Sequence, residues 1–405
     1  MKKTLAAVAV LGAFAGSALA ADVQLYGIVD TGVGYNHVDM DSLDGVSLYN
    51  DGKAVYSFAD SDSFSMMSGQ ASGSRWGLKG TEDLGNGLTV GFILEDGFTS
   101  DNGADSAPMF NRESSLFVQG GFGKFAMGRM GSLNNGQSSW AKVGMVSAFG
   151  TSDWGGYSAQ LGNIFSLAGQ WDNMVAYETP SFAGFKVYAQ YAMGSNDNEN
   201  ESSSDRYYAI GATYNNGPFA GYFAVDSINY QTSGAKIDDK FIDDSLTVTL
   251  GGSWNFEVAK VYFGAQYFDE VKLSSIGGIT KTTVSGVDLS KLGGPDITVG
   301  ALLKVKGYGI SLTADAPVAG GKAMFGVGYV DAEAADSTQD YLKDNNADVD
   351  LDLKRYVVSV GYDYPFSKRT DVYAIASYMQ DQVDVASEDW DPSAYTLYVG
   401  LRHRF

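Results

Sequence analysis

The sequence predicts an all-β fold, a 16-stranded antiparallel transmembrane β-barrel, and three observations support it. The last twelve residues, 394–405, alternate between an apolar and a polar face. Fifteen earlier segments of about ten residues alternate in the same way. The connections between these segments are short and long in turn. Tight turns on one side and long loops on the other are typical of a barrel that crosses a membrane.

The last strand carries the clearest alternation. One face has Tyr395, Leu397, Val399, Leu401, His403 and Phe405, and the other has Thr396, Tyr398, Gly400, Arg402 and Arg404. A soluble sandwich alternates too, but a transmembrane barrel turns its apolar face to lipid and its polar face to the lumen. Twelve residues are close to the roughly 9–11 that a tilted strand needs to cross the hydrocarbon core.

The first twenty residues have the features of a secretory signal peptide. Lys2 and Lys3 precede an apolar run from Leu5 to Phe14, and the stretch ends on Ala18-Leu19-Ala20. We therefore expect a signal peptide at 1–20 and a single barrel domain at 21–405. Removal of the two lysines changes the formal net charge from −21 to −23. Such an acidic chain is a poor partner for nucleic acid, which needs a basic surface.

Composition agrees with many strands and tight turns. The chain has 51 Gly, 25 Tyr and 22 Phe but only 7 Pro. It has no Cys, which excludes disulfides, thiol catalysis and thiolate metal sites. No stretch approaches the ~18 uninterrupted apolar residues of a membrane-spanning helix. In a membrane, a closed barrel is then the structure that satisfies every backbone polar group.

Alternation and turn residues together predict sixteen strands. Gly and Asn dominate the short turns, because tight hairpins need positive φ. The predicted strands are 22–38, 73–82, 87–98, 109–120, 122–130, 171–180, 184–194, 206–215, 218–228, 245–256, 259–269, 306–317, 322–331, 354–365, 371–380 and 394–405.

The third long connection, residues 131–170 (the third loop), differs from the others. It contains many large apolar side chains, among them Trp140, Phe149 and Trp154. A solvated loop would not carry this much apolar surface. We therefore predict that the third loop folds inward and packs inside the barrel.

Several short motifs resemble the trimeric general-diffusion porins of beta-proteobacterial outer membranes. They are residues 25–30, 73–85, 110–112, 128–129, 177–180, 367–371 and 400–405. The resemblance implies a homotrimer of 16-stranded barrels in the bacterial outer membrane, in contact with its lipid and lipopolysaccharide. It also implies a water-filled channel for small hydrophilic solutes, narrowed by the third loop. Phe405 would belong to a signal read by the outer-membrane assembly machinery.

The charges at the narrowest part of the lumen determine which ions pass. Alternation turns Arg75 and Lys79 inward, and the resembled family has basic residues at positions matching Arg75 and Arg112. Alternation places Arg112 and Arg129 with the lipid-facing residues, so an inward orientation would require a bulge. The resembled family often has another arginine just before the sixth strand, where this chain has Gln170 and Trp171. Candidates for the opposite wall are Glu95 and Glu113, and the third loop contributes Lys142 and Asp153.

The remaining long loops are strongly acidic. A negative vestibule concentrates cations within a Debye length of about 8 Å at physiological salt. We therefore expect weak or mildly cationic selectivity. Asp344, Asp348, Asp350 and Asp352 could contribute oxygen ligands to Ca²⁺, but a solvated acidic loop is the simpler interpretation, since the Gly and Glu of an EF-hand are missing. Divalent ions could also bridge these loops to lipopolysaccharide.

We expect neither enzymatic activity nor a cofactor. The chain has two histidines, His37 and His403, and neither accompanies a nucleophile motif. Two other functions fit a barrel of this kind. One is a substrate-specific porin, recognised by saturable block of conductance by one solute. The other is an adhesin barrel with a closed lumen, whose long loops bind partners.

Overall fold

A computed structural model describes residues 23–41, 47–50, 53–57, 59–194, 204–230, 243–273, 276, 304–344, 351–385 and 388–405. The predicted signal peptide lies outside these residues. Nearly all regular structure is β-sheet. The strands, numbered β1 to β20 in chain order, are Gln24–Asp39, Ser47–Asn50, Lys53–Ser57, Ser61–Ser68, Arg75–Gly85, Leu88–Gly97, Glu113–Gly120, Gly123–Gly131, Gln170–Glu178, Phe185–Ala192, Arg206–Asn216, Phe219–Asn229, Ser245–Asn255, Lys260–Val271, Val305–Val318, Gly321–Ala334, Leu351–Pro365, Thr370–Val385, Glu388–Trp390 and Ser393–Arg404.

Sixteen of these strands form one closed antiparallel barrel. β1 pairs with β5, each strand from β5 to β18 pairs with the next, and β18 pairs with β20. The last strand returns to β1 over twelve residue pairs, from Ile28 and Arg404 to Asp39 and Ser393. Phe405 adds two backbone hydrogen bonds to Gly27, each 3.1 Å long. The predicted closed 16-stranded barrel is therefore confirmed, because the strand pairings run from β1 through β5 to β20 and return to β1.

Four short strands were not predicted. β2 and β3 form a separate hairpin, and β19 extends the end of β18 by three residue pairs. β4 pairs with the outer half of β1, from Thr31 to Val38, while β5 pairs with its other half. β4 and β5 therefore lie end to end along the same edge of β1, and residues 69–74 connect them.

The two faces of the wall differ as the alternation predicts. In β20 the side chain of Leu397 is 53% exposed, whereas that of Arg402 is 7% exposed. Aromatic side chains form rows on the outer face at both ends, which is typical of a membrane-spanning barrel. At the short-turn end the row is Phe182, Phe185, Tyr214, Phe219, Trp254 and Phe256. At the other end Tyr308, Tyr329 and Tyr356 stand side by side on β15, β16 and β17.

The described helices are few and short. The third loop contains two 3-10 turns, Val143–Val146 and Leu161–Asn163. Helix α1, Asp336–Asp344, lies in a connection that the sequence predicts to be a solvated loop. Glu270 accepts a 3.0 Å hydrogen bond from the backbone N–H of Ser337 in the first turn of α1. No helix among the described residues is long and apolar enough to cross a membrane.

Candidate functional site

The third loop leaves β8 and is held at its base by side chains of the barrel wall. The amide of Leu133 donates a 3.0 Å hydrogen bond to Gln190 on β10. The side-chain amide of Asn134 donates to the carboxylate of Asp226 on β12. Asp226 is almost fully buried, and the Tyr222 hydroxyl donates to Asn134 from the same strand at 2.8 Å. These polar contacts fix the direction in which the loop leaves the wall.

The middle of the loop packs on glycines of the inner wall. A Cβ at Gly251 would lie 2.8 Å from Val146, and one at Gly309 would lie 2.0 Å from the carbonyl oxygen of Ile164. Such distances are below any normal Cβ contact, so only glycine permits this approach. Hydroxyls of the wall supply hydrogen bonds, from the amide of Ala148 to Thr313 and from that of Ala159 to Ser359, both 2.8 Å.

A buried ion pair supports the returning arm of the loop. Arg355 on β17 and Asp381 on β18 form two hydrogen bonds of 2.7 and 2.8 Å. The remaining nitrogen of Arg355 donates to the carbonyl of Asn163 at 3.0 Å. Asp381 also accepts from the backbone N–H of Ile276. The third loop therefore follows the inner wall from β10 round to β18, which we call the covered wall.

The inner faces of β1, β5, β6 and β7, with the residue preceding β7, carry a separate group of charged side chains, and we call this part the uncovered wall. Glu95 on β6 lies at its centre. Its carboxylate accepts from Arg112 Nε at 2.7 Å and from the Tyr26 hydroxyl at 3.0 Å, and Arg75 Nε is 3.5 Å away. Two guanidinium groups thus share one carboxylate and leave an excess of positive charge.

The expected separation of acids and bases on opposite walls is wrong for Glu95, because that carboxylate lies between the two arginines. Glu113 is also occupied. It is buried and accepts from Ser115, from the hydroxyl of Ser139 and from the backbone N–H of Ser139, at 2.7–2.9 Å. Glu113 therefore anchors the third loop.

Arg112 and Arg129 occupy different surroundings, although alternation places both on the lipid face. Arg112 precedes β7, so strand alternation does not apply to it. Its side chain is buried and donates to Gln137 of the third loop at 2.9 Å. Arg129 lies at a register shift between Gly128 and Met130. It donates to Asp172 and to the carbonyl of Asn111 rather than to Glu95.

Lysines form a second basic group toward the short-turn end. Lys79 lies over the Tyr26 ring at 5.0 Å, Lys124 over Phe117 at 4.3 Å, and Lys142 over Tyr188 at 5.4 Å. None of these three lysines is in an ion pair within the described part of the chain. A cavity of about 200 Å³ lies between Lys79 and Lys124.

The role of Lys124 was missed in the sequence. It follows a tight turn and has no charged motif around it, and only strand pairing brings it close to Lys79. Lys142 lies in the third loop, where burial lowers its pKa to about 8. The ammonium is therefore charged below pH 8 and becomes neutral as the pH rises through that value.

Asp153 lies at the tip of the third loop, next to Trp154. Burial raises the pKa of its carboxyl group above the usual range. Of the acidic residues considered for Ca²⁺, Asp348 and Asp350 lie outside the described residues. Asp344 ends α1, and Asp352 lies on β17 opposite Asp384. Within the described ranges, no group of three or more His, Asp or Glu side chains could hold a metal ion.

A closed transmembrane barrel with a charged, loop-lined interior defines the class of channel-forming outer-membrane barrels. The Gram-negative porin family model matches residues 6–384, and the chain belongs to that family. It is 33% identical over 420 residues to an outer membrane porin protein of Bordetella pertussis, with both chains fully covered. It is 28% identical, again over both full chains, to outer membrane porin protein 32 of Delftia acidovorans.

Solved structures of porins share the fold. An anion-selective porin from Comamonas acidovorans has a TM-score of 0.59 at 23% identity, over 95% of this chain and 100% of that one. Salmonella typhi OmpF, in complex with daunomycin, has a TM-score of 0.54 at 16% identity, over 95% and 97%. The protein is thus an outer-membrane porin, a multi-pass β-barrel that forms a diffusion channel.

Proposed function

We propose that small hydrophilic solutes pass along the uncovered wall, that the third loop forms the constriction opposite it, and that the narrow zone prefers anions. The observation that carries this proposal is the excess of positive charge on that wall. Arg75 and Arg112 share Glu95. Lys79 on the same wall, Lys124 on β8 and Lys142 in the third loop add positive charge and form no ion pair within 4 Å among the described residues. Fixed charges lining a narrow passage select ions of the opposite sign.

This preference differs from the weak or mildly cationic selectivity expected from the acidic loops. The two regions act at different places along the route. Loop carboxylates surround a wide mouth, where salt screens them. The arginines and lysines line the passage itself, where a permeating ion comes within a few ångströms of them. The narrow zone should therefore dominate, and the likeness to the anion-selective porin of Comamonas acidovorans supports this expectation.

Single-channel recording in planar bilayers tests the proposal directly. We expect an ohmic conductance and, in a KCl gradient, a reversal potential on the anion-selective side. The variant Lys79→Gln/Lys124→Gln should move the reversal potential toward zero. Lys260→Gln, at a short turn on the far side of the barrel, is the matched control and should not move it. Absence of conductance by the unmodified protein would contradict the channel, and a cation-selective reversal potential would contradict the anion preference.

We further propose that the protein assembles as a homotrimer. A relative with the same fold, Vibrio cholerae OmpT, has been solved in a trimer form, with a TM-score of 0.56 at 17% identity. Three barrels that insert together should raise the conductance in one step, and closing of the three barrels one after another should lower it in three equal steps. Chemical cross-linking in detergent should give a product of three chains, and a product of one chain only would contradict the trimer.

The two chain ends carry further proposals. Cleavage after Ala20 should leave a mature chain that begins at Ala21, which mass spectrometry of outer-membrane protein would establish. Phe405 is half exposed, and its ring lies against Gly27 at the rim of the barrel. We infer that the assembly machinery reads this residue, so Phe405→Ala should lower the amount of folded protein in the membrane. Lipopolysaccharide would contact the outer face at the long-loop end.

We assign the chain no catalytic activity. His37 pairs with Asp62 near the long-loop end, whereas His403 contacts Thr370 near the short-turn end. The two imidazoles therefore lie at opposite ends of the barrel. Hydrolysis of ester or peptide substrates by the purified porin, lost on substitution of either histidine, would contradict this assignment.

A further inference from the structure

Residues 69–74, between β4 and β5, leave the wall and fold into the lumen, and we call them the inward turn. Asp30 is fully buried, and its carboxylate accepts from the backbone N–H groups of Ala71 and Ser72 at 3.1 and 2.8 Å. Arg402 donates to the Ser72 hydroxyl at 2.8 Å, and its guanidinium is held by Asp371 and Asp363 at 2.9 and 3.0 Å. Charged groups of β1, β17, β18 and β20 thus hold the inward turn rigidly.

The inward turn holds the tip of the third loop. The carbonyl of Gln70 accepts from the amide of Trp154 at 2.8 Å, and its side-chain oxygen accepts from the amide of Gly155 at 2.7 Å. Gly155 has φ of +89°, and a Cβ there would lie 2.1 Å from Thr396. The Thr396 hydroxyl also donates to the carbonyl of Gly155 at 3.1 Å. The tip is therefore clamped between Gln70 and β20.

The same turn contacts both arginines of the uncovered wall. The carbonyl of Gly73 accepts from Arg75 at 3.1 Å. A Cβ at Gly73 would lie 3.0 Å from a terminal nitrogen of Arg112, so this guanidinium lies directly against the turn. One short segment thus touches the arginines with Gly73 and the loop tip with Gln70, three residues away in sequence.

We propose that the inward turn sets the distance between the arginine group and the tip of the third loop, and that Gln70 is the positioning residue of this link. The inference rests on the proposed route along the uncovered wall. The tip lies between Ala148 and Ala159, which both hydrogen bond to the covered wall. Between these two points its own contacts at Gln70 and Thr396 determine where it rests. The turn makes the width of the passage a fixed property of the folded barrel, independent of the long loops other than the third.

The test uses Gln70→Ala, which removes the acceptor of the Gly155 N–H and the donor to the Ser68 carbonyl but keeps the backbone contact to Trp154. Loss of the hydrogen bond to Gly155 should raise the population with a detached tip about five- to tenfold. We expect more frequent current steps above the main open level, a larger mean conductance and a weaker ion preference. Gln70→Glu keeps an acceptor for Gly155 and should restore quiet single-channel currents. Asn255→Ala, which removes a 3.0 Å hydrogen bond in a distant short turn, is the matched control.

The outcomes separate this inference from the proposed function. If the unmodified protein conducts and Gln70→Ala is indistinguishable from Asn255→Ala in current steps and conductance, the inward turn does not position the loop tip. If the unmodified protein does not conduct, the proposed function is contradicted, and the inference that rests on it is contradicted with it. Should Gln70→Ala fail to fold, Gly73→Ala provides a second measurement, because it displaces Arg112 and should shift the reversal potential without freeing the tip. An unchanged reversal potential in that variant would contradict the link.

Discussion

The covered and the uncovered wall of the lumen are built from the same kind of strand but from different residues. Glycines and small hydroxyl residues such as Gly309, Ser359 and Thr313 form the covered wall, where the third loop lies against the backbone. Arg75, Lys79 and Glu95 form the uncovered wall. The difference shows that inward-facing residues of a barrel divide into those that bind a loop and those that face the passage.

Energetics explain why the two sets cannot be exchanged. Close packing of a loop needs small side chains, and its buried amides need acceptors such as hydroxyls. Charged side chains remain favourable only where water or an ion pair compensates their burial. The buried ion pair of Arg355 and Asp381 on the covered wall meets this condition, because the two charges face each other and backbone groups supply further hydrogen bonds.

Disturbing the covered wall should give the largest effect. Gly309→Val places atoms against the carbonyl of Ile164, so the returning arm of the third loop must move away from the wall. Overpacking of this kind costs about 1–3 kcal/mol. We expect a clear increase in single-channel conductance together with a lower unfolding temperature. Gly121→Ala, where an added Cβ meets nothing within 4 Å, is the control. Unchanged conductance in Gly309→Val would show that the loop does not narrow the passage.

Substitutions on the uncovered wall should change selectivity more than conductance. Arg112→Gln removes one of the two cations that share Glu95, and we expect the anion-to-cation permeability ratio to fall about two- to fivefold. Glu95→Gln should raise the ratio, because both guanidinium groups then lack a carboxylate. Arg369→Gln, in an exposed turn, serves as the control. Reversal potentials in a KCl gradient measure all three variants, and equal shifts in Arg112→Gln and the control would refute the assignment.

Ionic strength should distinguish the acidic mouth from the basic passage. The Debye length falls from about 30 Å at 0.01 M to about 3 Å at 1 M salt. Loop carboxylates around a wide opening lose their influence first, whereas the wall charges lie next to the ion. The anion preference should therefore increase as salt is raised at a constant gradient. A steady decrease over the same range would mean that the passage charges are as remote from the ion as the loops.

The smallest expected effect is a pH dependence at Lys142. Its lowered pKa of about 8 means that the ammonium is charged at pH 7 and mostly neutral at pH 9. Lys124, Lys186, Glu113 and Glu178 are the neighbouring charged groups. The anion preference, measured as the reversal potential in a KCl gradient, should decline between pH 7 and pH 9. In Lys142→Gln it should not change over this range. An identical decline in Lys142→Gln would assign the titration to another group.

The strands could be predicted closely because the alternation of apolar and polar residues within each strand shows which side chains face lipid and which face the lumen. The sixteen predicted segments match the sixteen barrel strands within a few residues, as with 206–215 and the observed Arg206–Asn216. Alternation arises from local geometry and needs no partner strand. Alternation did not predict the inward direction of Arg112, because β7 begins one residue later and strand parity no longer applies there. The pairing of Glu95 with both arginines depends on strand register, which alternation does not encode.

The amino-acid sequence by itself determined the alternation, the turns, the number of barrel strands and the apolar character of the third loop, because these follow from neighbouring residues. Tertiary structure decided where the third loop lies, which lysines form no ion pair with the described residues, and that residues 69–74 enter the lumen. These features depend on contacts between segments up to about 330 residues apart, such as Arg402 and Ser72. Only closure of the sheet brings such segments together.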